Sequence, residues 1–192
     1  MPSTLTEART ARFAAVARHA LIVAVGAGLM VLAAKTQIPF WPVPMTLHTL
    51  AVMAFAVMLG PRLAVSIFAA YLALGAAGLP VFSGSPERGI GLAYMLGPTG
   101  GYLAGYLAAS WLVGMLAWGR GMLGRLLAML AGLALVYAAG VAWLALFIPA
   151  SQLAAAGLWP FLLGDLLKLG VVAAGSALLP AVLSGLGARW RR

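Results

Sequence analysis

Apolar runs long enough to cross a bilayer follow one another along almost the whole chain, parted only by short clusters of charge, proline and glycine. Crossing the hydrocarbon takes about 20 apolar residues, fewer where flanking side chains snorkel to the interface. On that criterion six segments stand out, approximately residues 17–34, 45–59, 62–79, 96–118, 122–148 and 158–186, the second of them short for a span. Composition agrees: 64% of the 192 residues are hydrophobic and 8% charged, with a mean hydropathy of +1.06. A soluble domain covers its core with about 25% charged residues, whereas a lipid-facing bundle needs them only at its ends. The expectation is an all-α integral membrane bundle of about six helices, a single domain over residues 1–192, lying multi-pass in a membrane with the lipid bilayer as its solvent.

The net charge of +9 does not mark a nucleic-acid partner. Such a protein gathers its excess into a basic stripe interleaved with stacking aromatics, and here the arginines sit singly between apolar runs. The pattern is topological, because Lys and Arg are retained on the cytoplasmic side of membrane segments. Alternate segment ends collect Arg9, Arg12, Arg18, Arg62, Arg120, Arg125, Arg189, Arg191 and Arg192, and the opposite ends only Lys35 and Arg88. Both termini are therefore expected in the cytoplasm. The linkers around residues 35–44 and 80–94, rich in Pro and Gly, then face outward, and a cysteine replacing Ser85 is expected to be labelled from outside. The polar residues 1–18 precede a run with no Ala-x-Ala cleavage site before polar mature sequence, so a retained first helix is expected rather than a signal peptide. Cysteine is absent, which excludes disulfides and thiolate metal sites, and no cofactor or metal motif is found.

A pair of oppositely charged residues lies inside one apolar span. Gly164-Asp165-Leu166-Leu167-Lys168 puts a carboxylate and an ammonium three residues apart, on one face of the last predicted helix. An ionisable residue at membrane depth costs a few kcal/mol on insertion scales and usually faces a cavity or a partner. Asp165 and Lys168 either neutralise each other inside the bundle or offer an acceptor and a donor to a polar uncharged group. The second reading is preferred, since a pair that only cancels could be replaced by apolar residues at little cost. A ureido or amide ligand, with N–H donors and a carbonyl acceptor, suits it.

Gly97-Pro98-Thr99-Gly100-Gly101-Tyr102 opens the fourth segment. Glycines at a helix start let a ligand approach the backbone and its free N–H groups, so Gly100 and Tyr102 are candidate contacts. Gly100, Gly101 and Gly105 are equally well explained as small packing residues between membrane helices. In the long linker Ser83 and Arg88 are candidates too. Arg88 is that loop's only cation and could receive a carboxylate through its planar fork, while Glu87 is best read as its solvated partner. Thr46 and His48 follow the proline-fixed stretch Pro39-Phe40-Trp41-Pro42-Val43-Pro44 and could line the roof of a pocket. A lone His on an apolar helix is more often a packing residue than a ligand, and Thr46 beside it keeps both readings open. Ala20, Ala24 and Gly28 recur every four residues in the first segment and make one smooth face on which another helix could pack.

Taken together these residues resemble the biotin-specific S components of energy-coupling factor (ECF) transporters, the BioY family, over nearly the whole chain. The similarity is carried by Pro39-Phe40-Trp41-Pro42-Val43-Pro44-Met45-Thr46-Leu47, Leu59-Gly60-Pro61-Arg62, Leu74-Gly75-Ala76-Ala77-Gly78-Leu79-Pro80-Val81-Phe82, Leu96-Gly97-Pro98-Thr99-Gly100-Gly101-Tyr102 and Gly164-Asp165-x-x-Lys168, in the family's order. The resemblance implies a six-helix bundle that binds biotin near the outer face, beneath the loop between the third and fourth helices, with Asp165 and Lys168 in contact with it. It also implies no ATPase activity of the chain's own, partnership with a transmembrane coupling protein and two ABC-type ATPases, and toppling in the membrane to deliver biotin inward. The face of Ala20 and Ala24 resembles the small-residue motif with which S components dock on the coupling protein. Two positions depart from the family: His48 stands where Gln is usual, and Ser83-Gly84-Ser85-Pro86-Glu87-Arg88 replaces a commonly glycine-rich loop.

Other functions find less support in the residues. An intramembrane hydrolase needs a nucleophile and a base, and Ser176 with His48 is the pair to consider, but the Gly-x-Ser-x-Gly elbow and the His-Glu-x-x-His motif are both missing. A self-sufficient carrier or channel fits the hydropathy, although no inverted repeat supports it. With no Walker motif, any ATP-driven cycle draws its energy from another chain.

Overall fold

The computed structural model of the chain describes residues 3–38 and 45–178. Pro39 to Pro44, Arg189, Arg191, Arg192 and the end of the sixth predicted segment lie outside these. Eight helices and one two-stranded ribbon are present among the described residues: α1 (Ser3–Lys35), β1 (Gln37–Ile38), β2 (Met45–Thr46), α2 (His48–Leu59), α3 (Pro61–Ala76), α4 (Gly91–Met95), α5 (Gly100–Leu116), α6 (Met122–Leu144), α7 (Ala150–Gly157) and α8 (Trp159–Leu178). Three stretches, Arg9–Lys35, Met122–Leu144 and Ala150–Ala177, are long and apolar enough to cross a membrane outright, and α2, α3 and α5 are shorter apolar helices. The expected bundle is thus present, with its boundaries adjusted.

The adjustments have physical reasons. At 1.5 Å per residue the 33 residues of α1 run about 50 Å, well beyond a hydrocarbon core of about 30 Å. The extra turns come from the polar start of the chain, whose Ala, Glu and Arg are good helix formers. Conversely, the 12 residues of α2 reach only about 18 Å. Met45 and Thr46, expected at its start, instead form β2, antiparallel to β1 with Gln37 opposite Thr46 and Ile38 opposite Met45. Non-helical backbone at this depth is tolerated where it lines a cavity. The sixth predicted segment is preceded by α7, which the sequence did not announce, and the two helices are parted at Leu158, where the backbone leaves helical geometry.

Two tight turns close one end of the bundle. Gly60 (φ +79°) and Gly119 (φ +68°) adopt left-handed conformations that L side chains avoid, and Pro61 at the first position of α3 stops α2 from running on. Helix α2 touches α1, α3, α5 and α8, while α5 packs on α2, α3 and most extensively on α6. Small residues make the α5–α6 approach possible: a Cβ on Gly105 would sit 2.9 Å from the Val136 Cα, one on Gly101 would strike Trp143, and one on Gly140 would strike the Tyr102 ring. The packing reading of Gly101 and Gly105 therefore holds. Toward the turn end, Met53, Val113, Met129, Leu133, Leu169 and Val172 fill the space between α2, α5, α6 and α8. Toward the other end the helices part, and that is where the long connections lie.

Candidate ligand-binding site

A cavity of about 410 Å³ opens at that end, within the range of small-molecule pockets. Its wall is built from the start of α2 (His48, Thr49), the later half of α3 (Tyr71), the start of α5 (Tyr102, Leu103, Tyr106), the later half of α6 (Tyr137, Leu144) and the first turns of α8 (Phe161, Asp165, Lys168). The connection between α3 and α4 contributes Ser83, Gly84 and Arg88, and the ribbon contributes Gln37 and Thr46.

Asp165 and Lys168 form its polar floor. Their i, i+3 spacing on α8 lets Lys168 Nζ donate to Asp165 Oδ1 at 2.8 Å, while the Tyr137 hydroxyl on α6 donates to Oδ2 at 2.8 Å. The two are 5% and 7% exposed, so the pair is a buried one that opens only on the cavity. An ionised carboxylate has about four acceptor directions and an ammonium three donors. Each retains capacity for a ligand. Gly164 has its own reason: a Cβ there would run into the Met45 side chain, so glycine brings α8 close against β2.

The roof hangs from the connection after α3. Gly84 (φ +71°) starts a turn in which the Arg88 N–H donates to the Gly84 carbonyl at 2.8 Å, and the Arg88 side chain lies back over Gly84. Tyr94 stacks on Phe82 with centroids 4.7 Å apart and donates its hydroxyl to the Ser83 carbonyl at 2.7 Å. Burial raises the Tyr94 phenol above its ordinary pKa, against smaller opposing effects of Thr99 and the Arg88 charge, so it stays a neutral donor. Lys35, at the end of α1, donates to the carbonyl and the hydroxyl of Ser85. Arg88 is exposed and forms no ion pair with Glu87 among the described residues, contrary to the solvated pair expected from the sequence. Its guanidinium stands at the cavity rim.

Aromatic side chains form the rest of the wall. His48 is packed between Phe68, Tyr71 and Tyr106, with ring centroids at 5.7, 5.4 and 4.7 Å. Its Nε2 is buried without a hydrogen-bond partner among the described residues on a residue that lines the cavity, so the packing and the ligand-contact readings of His48 both stand. Thr49 and Tyr106 share a hydrogen bond of 2.6 Å. Tyr102 lines the cavity but spends its hydroxyl on the Gly157 carbonyl at 2.7 Å. Of the residues singled out in the sequence, Asp165, Lys168, Arg88, Tyr102, Thr46, His48 and Ser83 meet here. Gly100 does not: its amide is bonded to Gly97, and a Cβ on it would meet the Met95 carbonyl and Trp143. Tyr137, Tyr106, Tyr71 and Thr49 are among the additions, the tyrosines invisible in the sequence because a tyrosine on an apolar helix does not announce where its hydroxyl points. Ser176 donates to the Ala173 carbonyl near the far end of α8, away from His48, so the imagined dyad does not assemble.

A sequence model of the BioY family matches residues 4–185. The chain belongs to the BioY family. Among its BioY relatives, a probable biotin transporter BioY of Pyrococcus horikoshii is 36% identical over 152 residues, 79% of this chain and 90% of that one. The biotin transporter BioY of Thermotoga maritima is 38% identical over 147 residues, covering 76% and 85%, and that of Rhizobium etli 36% identical over 181 residues, covering 84% and 92%. The crystal structure of the S component for biotin from an ECF-type ABC transporter superposes on the BioY chain with a TM-score of 0.72 at 27% identity, over 85% of this chain and 90% of that one. The fold is thus that of an S-component membrane bundle, and the family is one of multi-pass transport proteins rather than enzymes. On α1, Ala20, Ala24 and Gly28 are exposed, and nothing stands within 4 Å of a Cβ built on Gly28. On the adjoining face of the same helix, Ala27, Met30 and Ala34 are packed into the bundle.

Proposed function

We propose that this BioY-family chain is the biotin-binding subunit of an importer. It captures biotin in the cavity from the outer side and delivers it inward together with an ECF coupling protein and ABC-type ATPases. The observation that carries the reading is the buried Asp165–Lys168 pair, opening on a cavity rich in aromatic side chains with a single arginine at its rim. Biotin matches that distribution. Its ureido N–H groups suit the free lone pairs of Asp165, its ureido carbonyl suits Lys168, its apolar ring edges suit the tyrosines, and its carboxylate suits the Arg88 fork.

Supporting the direction of transport, Arg9, Arg12, Arg18, Arg62, Arg120 and Arg125 lie toward the turn end of the bundle and the start of α1, while the cavity, with Arg88 at its rim, lies at the other end. Both termini are then cytoplasmic and the cavity faces outward. The smooth strip of Ala20, Ala24 and Gly28, exposed beside the packed face of α1, is the docking surface for the coupling protein, whose helices could approach closely there. The decisive experiment is to purify the chain in detergent and identify the retained small molecule by mass spectrometry. Biotin at near one equivalent is expected. A folded preparation that carries none, even after addition of biotin, rules the assignment out.

A further inference from the structure

The Asp165 carboxylate is held by two donors from different helices. Lys168 holds Oδ1 from the same helix and Tyr137 holds Oδ2 from α6, both at 2.8 Å. The two tethers are unequal. Lys168 is a flexible chain that follows any rotation of the carboxyl group, and the last torsion of Asp is broad and two-fold. Tyr137 is a rigid ring with two torsions, anchored 28 residues away, 8% exposed and packed among the residues of the lower core.

We infer that Tyr137 is a positioning residue: its hydroxyl fixes the plane of the Asp165 carboxylate so that the lone pairs not used by Lys168 and Tyr137 point into the cavity, toward a ligand's N–H donors. This rests on the reading of the cavity as a biotin site and adds to it the residue that sets selectivity for a ureido ring. A carboxylate can only accept, so the Tyr137 hydrogen is committed to Oδ2. Removing the hydroxyl leaves the carboxylate tethered at one oxygen and free to turn away. The cost then falls on ligands that donate N–H to Asp165 and spares those that do not. A role confined to joining α6 and α8 would weaken every ligand of the cavity alike.

The test is a comparison of wild-type chain and Tyr137→Phe, both in detergent, with three ligands: biotin, its carboxamide, and biotin methylated on the ureido nitrogens. Thermal unfolding without ligand checks the fold. The variant is expected to bind biotin and the carboxamide about tenfold more weakly, the scale of a lost hydrogen bond to a charged group, and the methylated ligand within about twofold of wild type. An equal loss for all three ligands, or unchanged biotin affinity, overturns the inference while leaving the biotin site standing. Failure of the wild type to bind biotin removes the site reading itself. Should Tyr137→Phe alone not fold, Tyr137→Phe/Asp165→Asn serves instead. It is expected to bind biotin no more weakly than Asp165→Asn, and a further tenfold loss there overturns the inference just as well.

Discussion

Lys35 and Ser85 tie the end of α1 to the roof of the cavity: one ammonium donates to both the carbonyl and the hydroxyl of Ser85. Ser85 Oγ in turn donates to the Phe82 carbonyl at 2.7 Å, and Arg88 follows three residues on. The helix that exposes the small-residue face is thereby bonded to the loop that carries the rim arginine.

Breaking this link is expected to loosen the roof rather than the floor. A hydrogen bond from a charged group is worth about 1.5 to 3 kcal/mol, and Lys35 is exposed, which reduces that to about 1 kcal/mol after screening. Lys35→Met should therefore raise the biotin dissociation rate about fivefold and leave the association rate nearly unchanged. Stopped-flow displacement with labelled biotin measures both. An unchanged dissociation rate would mean that the roof is held by other contacts.

At the floor, Asp165→Asn and Lys168→Met are each expected to weaken binding about tenfold to a hundredfold, the scale of a lost charge-assisted hydrogen bond. Each also leaves a charge buried without its partner, which destabilises the fold, so thermal unfolding must be followed alongside calorimetry. The double variant Asp165→Asn/Lys168→Met separates the two effects because it restores neutrality. It should recover stability and still fail to bind. Normal biotin affinity in the folded double variant would show that the pair serves the bundle alone.

The topology has a direct check, and the structure improves on the probe that the sequence suggested. Ser85 is 5% exposed and bonded to Lys35, so a cysteine there would react slowly wherever the loop lies. Glu87, two residues on, is exposed. A cysteine replacing Glu87 should be labelled by an impermeant maleimide in intact cells, and tags at both termini only after the membrane is opened. Labelling of a terminus from outside would invert the orientation and, with it, the direction of capture.

How far the sequence could be read follows the strength of each physical signal. The six apolar runs were legible because hydrocarbon demands length and low charge, and Asp165 and Lys168 because charge inside such a run is costly enough to need a reason. Arg88 stood out as the only cation of its loop. Helix α7 was not legible: its eight residues, Ala150–Gly157, are too few and too mixed to carry a period. The start of α2 was misplaced because Met45 and Thr46 suit a helix locally, and only pairing with Gln37 and Ile38 draws them into a ribbon. Gly100 was read either as a contact or as a packing residue, and the group that crowds it is the Met95 carbonyl, as packing requires. Tyr137 and the Lys35–Ser85 link join residues far apart in sequence, and no local pattern encodes such pairs.

The most direct measurement is isothermal titration calorimetry of the purified chain with biotin, thiamine and riboflavin in turn. A cavity whose charged groups are one carboxylate–ammonium pair and one rim arginine should give saturable heat with biotin at one site per chain and none with the other two vitamins. No heat with biotin from a demonstrably folded sample, or equal binding of thiamine or riboflavin, would contradict the assignment.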